Sequence, residues 1–138
     1  MRFLHSMIRT NVPEESITFY TKGLGLKLIR QKDYPDGKFS LYFLAQNESA
    51  PMIELTHNWE ERNYQQGDQF GHLAFEVEDI YQTCELLVDM AVTINRPPRD
   101  GRMAFVKDPN GISIELLQAG QALPPRPPWV DMKNIGSW

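Results

Sequence analysis

The apolar positions of this chain switch between two spacings. One is the two-residue alternation of half-buried strands, the other the three-to-four-residue repeat of helices. Residues 2–10, RFLHSMIRT, have the composition of a strand. Pro13 then suits a first helical turn, where a missing N–H is no loss. Ile17, Tyr20 and Leu24 follow at helical spacing, and Gly23 and Gly25 close the segment. LKLIRQ at 26–31 predicts a short strand, YPDG at 34–37 a turn, and KFSLYFLA at 38–45 a second strand. After the loop QNESAP, MIELTH at 52–57 predicts another.

The pattern then restarts. FGHLAFEV at 70–77 reads as a strand. Asp79 and Gln82 have capping-box spacing ahead of a helix, along which Ile80, Cys84, Leu87, Val88 and Ala91 form one apolar stripe. VTIN at 92–95 and RMAFV at 102–106 predict strands on either side of the turn PPRDG. DPNG at 108–111 is a tight turn before the last strand, ISIELL at 112–117. The chain therefore reads as two copies of one unit: a strand, a helix and three strands. Each copy opens on a strand holding a histidine (His5, His72), carries an Asp-Gly-basic turn (DGK, DGR) and ends on Ile-Glu-Leu. His5 and Glu54 lie 49 residues apart, and His72 and Glu115 lie 43 apart. The difference fits shorter loops in the second copy, and a repeat is stronger support than any single match.

Residues 119–138, AGQALPPRPPWVDMKNIGSW, fall outside the repeat. Their prolines predict an extended C-terminal arm. Trp129 and Trp138 favour its docking on the body or on a partner, since tryptophan is seldom left in water.

Composition narrows the function. The 138 residues suffice for one compact domain, with repeats at about 2–58 and 69–118 inside a single domain 1–118. A net charge of −4 argues against nucleic acid or an anionic membrane as main partner. The single cysteine, Cys84, excludes an intrachain disulfide framework and fits a reducing compartment. FLHSMI is too short and too interrupted for a signal sequence, and no apolar run approaches the roughly 20 residues that span a bilayer. A cytoplasmic protein is expected.

Candidate chemistry follows from strand alternation. His5, Met7 and Arg9 share one face of the first strand, and Leu4 and Ile8 the other. His72 and Ala74 oppose Leu73, Phe75 and Val77. Glu54, Thr56 and Asn58 oppose Ile53 and Leu55, and Glu115 opposes Ile114 and Leu116. In each strand the aliphatic face packs under a helix, so the His or Glu points to the other side of the sheet. Two imidazoles and two carboxylates suit a divalent ion such as Zn²⁺, Ni²⁺, Co²⁺ or Fe²⁺, which also compensates a carboxylate inside an apolar strand. A lone strand histidine is more often a hydrogen-bonded core residue, and a lone strand glutamate more often lies at an edge. The matched repeat weighs against both. His57, on the Ile53 face, stays out of the set. Arg9 and Asn58 lie on the ligand face, and Arg99 and Arg102 flank a flexible Asp-Gly, so all four are candidates for binding substrate. Met103, Phe105, Phe70 and Trp59 are candidates to line an apolar pocket, or are core. Cys84, on a buried stripe, reads as inert. No nucleotide-binding glycine motif, GxSxG or CxxC pair occurs.

FLHSMIRT, NVPEESITFYTKGLGLKL, MIELTHNW, FGHLAFEVED and AFVKDPNGISIELL, in this order, resemble glyoxalase I of the vicinal oxygen chelate superfamily over residues 2–117. The resemblance implies an α+β fold of two βαβββ modules whose mixed sheets curl around a metal. It implies His5, Glu54, His72 and Glu115 as ligands, in a homodimer with each site shared between subunits. The implied reaction is lactoylglutathione lyase: the methylglyoxal–glutathione hemithioacetal becomes S-lactoylglutathione through an enediolate. Glu115 is then the base, with Glu54 serving the opposite face or remaining a ligand. Arg9 and Asn58 match positions that hold glutathione. The turn RPPRDGRM is shorter than in typical members, and Arg99 or Arg102 stands where the family grips the glycyl carboxylate. Asp68 stands where some members carry an arginine. The short chain resembles bacterial members that prefer Ni²⁺ or Co²⁺ to Zn²⁺. Other readings are an epimerase, a thiol transferase or a ring-cleaving dioxygenase, or a metal-free binding relative. A dioxygenase needs one Glu rather than two, and a binding module needs no full ligand set.

Overall fold

The computed structural model describes all 138 residues, as two compact units, Met1–Gln65 and Gln66–Trp138. In the first, strand β1 (His5–Arg9) leads into helix α1 (Pro13–Thr18), which widens into a π-helical turn at Phe19–Gly23. Pro13 opens α1 as expected. The buried positions are Ser16, Phe19, Tyr20 and Gly23, whereas Ile17 and Leu24 stay half-exposed. The buried set keeps ordinary helical spacing but is offset from the apolar one, with Ser16 and Gly23 turned inward in place of Ile17 and Leu24. Ser16, buried, meets the Thr10 hydroxyl at 3.1 Å and donates to the Val12 carbonyl at 2.8 Å, which satisfies it locally.

Strands β2 (Lys27–Tyr34), β3 (Phe39–Ala45) and β4 (Met52–Asn58) complete a sheet of order β1-β4-β3-β2. β1 runs parallel to β4, and the other neighbours are antiparallel. β2 is longer than LKLIRQ. It is an edge strand, exposed along most of its length, so no apolar alternation marks residues 31–34. Cross-strand pairing carries it on, ending where Tyr34 stacks on Phe39 at 4.7 Å.

The second unit repeats the plan. β5 (His72–Val77) is followed by helix α2 (Ile80–Asp89), then β6 (Ile94–Arg96), β7 (Met103–Lys107) and β8 (Ser113–Gln118). The order is β5-β8-β7-β6, again with the first and last strands parallel. Asp79 caps α2, accepting from the Tyr81 and Gln82 amides at 2.9 and 3.0 Å. Ile80, Cys84 and Leu87 are buried, joined by Tyr81. Val88 is 50% exposed, and Ala91 is exposed beyond the helix end. There the chain turns away, with Ala91 at φ 61° and its amide bonded to the Val88 carbonyl.

Residues 119–138 pack within this unit. Trp129 is 3% exposed and opens a short 3₁₀ turn. Tyr81 donates to the Pro124 carbonyl at 3.0 Å, and Asn95 and Ile135 exchange two hydrogen bonds. Leu123 donates to the Gly101 carbonyl at 3.0 Å. Gly101 has φ +66°, and a Cβ there would lie 1.9 Å from the Leu123 carbonyl oxygen, so only glycine fits.

Candidate metal centre

Parallel pairing sets the geometry. His5 lies opposite Met52, and Glu54 is two residues further along β4, hence on the same face. His5 Nε2 meets Glu54 Oε2 at 2.8 Å. The second unit repeats this: His72 lies opposite Ser113, Glu115 is two residues on, and Nε2 meets Oε2 at 3.1 Å. The imidazoles are 40% and 42% exposed, the carboxylates 13% and 16%. Buried aliphatic residues, Ile53 and Leu55 or Ile114 and Leu116, hold each glutamate from the opposite face.

Two phenylalanines underlie the pairs. Phe43 and Phe105 lie opposite Glu54 and Glu115 in the antiparallel register. Each meets its histidine edge-to-face, at 5.9 and 5.3 Å between ring centres. Sequence reading named Phe105 as a pocket candidate and missed Phe43. Carrying the face of each glutamate across to the preceding strand would have found both. One difference breaks the symmetry. Thr56 donates to Glu54 Oε1 at 3.4 Å, whereas the corresponding position beside Glu115 is Leu117.

The other candidates separate. Arg9 is exposed on the His5 face and has no acidic partner. Asn58 donates to the Tyr64 hydroxyl at 2.8 Å, a partner beyond the strand that no periodicity signals. Arg99 donates to the Met132 carbonyl and to Asn134 Oδ1, both at 2.9 Å. Arg102 donates to the Gln118 carbonyl at 2.8 Å and to that of Gly120. Both guanidinium groups thus fasten the C-terminal arm. His57, on the other face, contacts the Thr10 carbonyl at 3.0 Å. Trp59 and Phe70 are 46% and 49% exposed, Phe105 is buried, and Trp138 stacks on Phe105 at 5.8 Å.

The donor set fits a divalent ion. Nitrogen and oxygen donors bound at about 2.1 Å and at right angles stand about 3 Å apart. The His–Glu separations match this. Each unit offers two such donors, and no group of three or more His, Cys, Asp or Glu that could hold an ion occurs in the chain.

Residues 2–116 match the family model described as the Glyoxalase/Bleomycin resistance protein/Dioxygenase superfamily. The chain is 42% identical over 125 residues to the lactoylglutathione lyase of Neisseria meningitidis serogroup A, covering 86% of this chain and 91% of that protein. It is 44% identical over 126 residues to a probable lactoylglutathione lyase of Synechocystis, covering 86% and 95%. The structure of the trypanothione-dependent glyoxalase I of Leishmania major superposes with a TM-score of 0.81 at 39% identity, covering 86% of each chain.

Proposed function

Because the chain belongs to the Glyoxalase/Bleomycin resistance protein/Dioxygenase superfamily, we propose that it is a metal-dependent lactoylglutathione lyase (glyoxalase I). Its substrate is the hemithioacetal of methylglyoxal and glutathione, and its product S-lactoylglutathione. The observation that carries this reading is the duplicated His–Glu pair, at 2.8 and 3.1 Å. His5, Glu54, His72 and Glu115 hold the ion, Ni²⁺ or Co²⁺ ahead of Zn²⁺. Two donors per unit fall short of the three or four protein ligands of such sites. Two copies of the chain bring the pairs together in a homodimer. Repeats 2–58 and 69–118 form one catalytic domain, 1–118, to which 119–138 is appended. The work is placed in the cytoplasm, where a single buried thiol stays reduced.

The reaction moves one proton between adjacent carbons. A bound divalent ion acts as a Lewis acid that lowers the energy of the enediolate. Glu115 takes the proton from the carbon bearing sulfur and returns it to the neighbouring carbon; the hydroxyl proton passes from the first oxygen to the second, so the hemithioacetal carbon becomes the thioester carbonyl, the former carbonyl becomes the carbinol, and no electrons leave the substrate. Glu115 suits this role better than Glu54 because no hydroxyl restrains its second oxygen. Glu54, tethered by Thr56, remains a ligand or serves the opposite face. Arg9 and Asn58 bind the glutathione portion.

The test is the absorbance assay for S-lactoylglutathione, on chelated protein with Ni²⁺, Co²⁺ or Zn²⁺ restored. Activity is expected only with metal, and Glu115→Gln is expected to lower kcat by 10²- to 10⁴-fold, the usual range for removing a general base. Stoichiometric metal binding without turnover in any metal would reject the substrate assignment.

A further inference from the structure

The first sheet carries cations without ion-pair partners, of which the reaction just described uses only Arg9. Register places Met7, Glu54, Phe43 and Arg30 side by side, and Arg9, Thr56, Leu41 and Lys32 in the next row. All eight side chains lie on the face that holds His5. Glu54 is the one carboxylate among the paired residues there, and Arg9, Arg30 and Lys32 have no ion-pair partner. The Arg30 guanidinium lies over the Phe43 ring, 4.1 Å from its centre, and the same ring meets His5 at its edge. A guanidinium lying on an aromatic ring keeps its N–H donors in its own plane, where they can fork a carboxylate.

A cavity of about 310 Å³ opens at this point, lined among others by Arg2, Leu4, His5, Arg30, Phe43 and Glu48. It lies at the start of β1. Arg9, at the other end, is four residues or about 13 Å away. A ligand centred on His5 and Glu54, with its glutathione portion on Arg9 and Asn58, therefore sends its other end into this cavity. That end derives from the aldehyde.

We propose that this cavity is the subsite for the aldehyde-derived end, and that Arg30 with Arg2 selects 2-oxoaldehydes whose substituent bears a carboxylate. The proposal rests on the lyase reading. Arg30 arises two strands from Glu54, about 10 Å, and leans back over Phe43. A carboxylate two or three carbons beyond the reacting carbons meets it, while Phe43 and Leu4 cover the methylenes. Glu48 at the rim opposes the two arginines and limits the preference.

Binding tests this without turnover. S-(3-carboxypropyl)glutathione and S-butylglutathione differ at the far end of the S-substituent, and calorimetric titration into the metal-loaded protein gives their affinity ratio. The carboxylate is expected to bind about tenfold more tightly, the worth of one charge-assisted hydrogen bond. Arg30→Met is expected to abolish that ratio, Arg2→Gln to reduce it, and Glu48→Gln to raise it about twofold to threefold. Arg2 precedes β1, so its variant tests charge without touching a strand. In turnover, Arg30→Met should lower kcat/KM for the hemithioacetal of 4,5-dioxopentanoate about tenfold more than for that of methylglyoxal. Equal affinity of the two thioethers for the unmodified protein would overturn the proposal, as would an equal fall for both aldehydes. Absence of both S-lactoylglutathione formation and thioether binding would instead reject the lyase reading, and this proposal with it.

Discussion

Glu54 and Glu115 occupy equivalent places, yet they are held differently. Thr56 touches one, and the other has only Leu117 beside it. Thr56→Val is therefore expected to weaken metal binding, up to about tenfold because the contact is long, with kcat at saturating metal unchanged; competition with a chromogenic chelator measures it. Cys84 is governed by burial, which pushes its thiol up to about 12, with the Glu85 charge adding to the effect. It should resist thiol reagents at pH 8 until the protein unfolds, and a fast reaction with native protein would contradict this. Asp100 shows the opposite balance. Burial pushes its pKa up, but hydrogen bonds from Arg96 and from the Arg102 and Met103 amides, with the Arg96 charge, outweigh it and bring the carboxyl down to about 2. A folded value below the unfolded one makes this stabilisation complete above about pH 4, lost as the pH falls towards 2. Asp100→Asn should then lower stability at pH 7 by about 1 kcal/mol, Asp100 being half-exposed, and leave it unchanged near pH 2; thermal melts across pH give the comparison.

At the scale of elements, the strands bearing histidine and glutamate were legible because their aliphatic faces alternate cleanly and because they occur twice. Tyr20 was legible from helical spacing, and the start of α2 from the capping signal at Asp79. The π-helical turn was not, since widening by one residue leaves no trace in apolar spacing. The far end of β2 was hidden because an edge strand has no face that must be apolar. The arm partners of Arg99 and Arg102 were hidden because they lie 33 and 18 residues away in sequence. That arm is held by burial of Trp129 and by close approach at Gly101. Trp129→Ala should destabilise by about 3–5 kcal/mol. Gly101→Ala should destabilise comparably, through strain at a positive φ and collision with the Leu123 carbonyl. Chemical denaturation checks both, and a loss under 1 kcal/mol for Trp129→Ala would mean the arm is not integral to its unit.

For the molecule as a whole, duplication is the organising fact: two units of the same strand order, each with two donors. No helix is long and apolar enough to cross a membrane. In the proposed dimer a site takes His5 and Glu54 from one copy and His72 and Glu115 from the other. Mixing His5→Ala and His72→Ala chains, each inactive alone, should then recover about a quarter of the unmodified activity. Half of the random dimers are mixed, and each of those has one intact site. Sites confined to single chains would recover none. The ends of the chain carry a last consequence. Arg2 and Phe3 line the cavity beside His5, and Trp138 stacks on the phenylalanine against His72. A purification tag or fluorescent fusion joined at either terminus would begin beside one of the two ligand pairs. Kinetic constants from such fusions would describe the attachment as much as the enzyme, whereas a tag removed without residual residues would leave both pairs untouched.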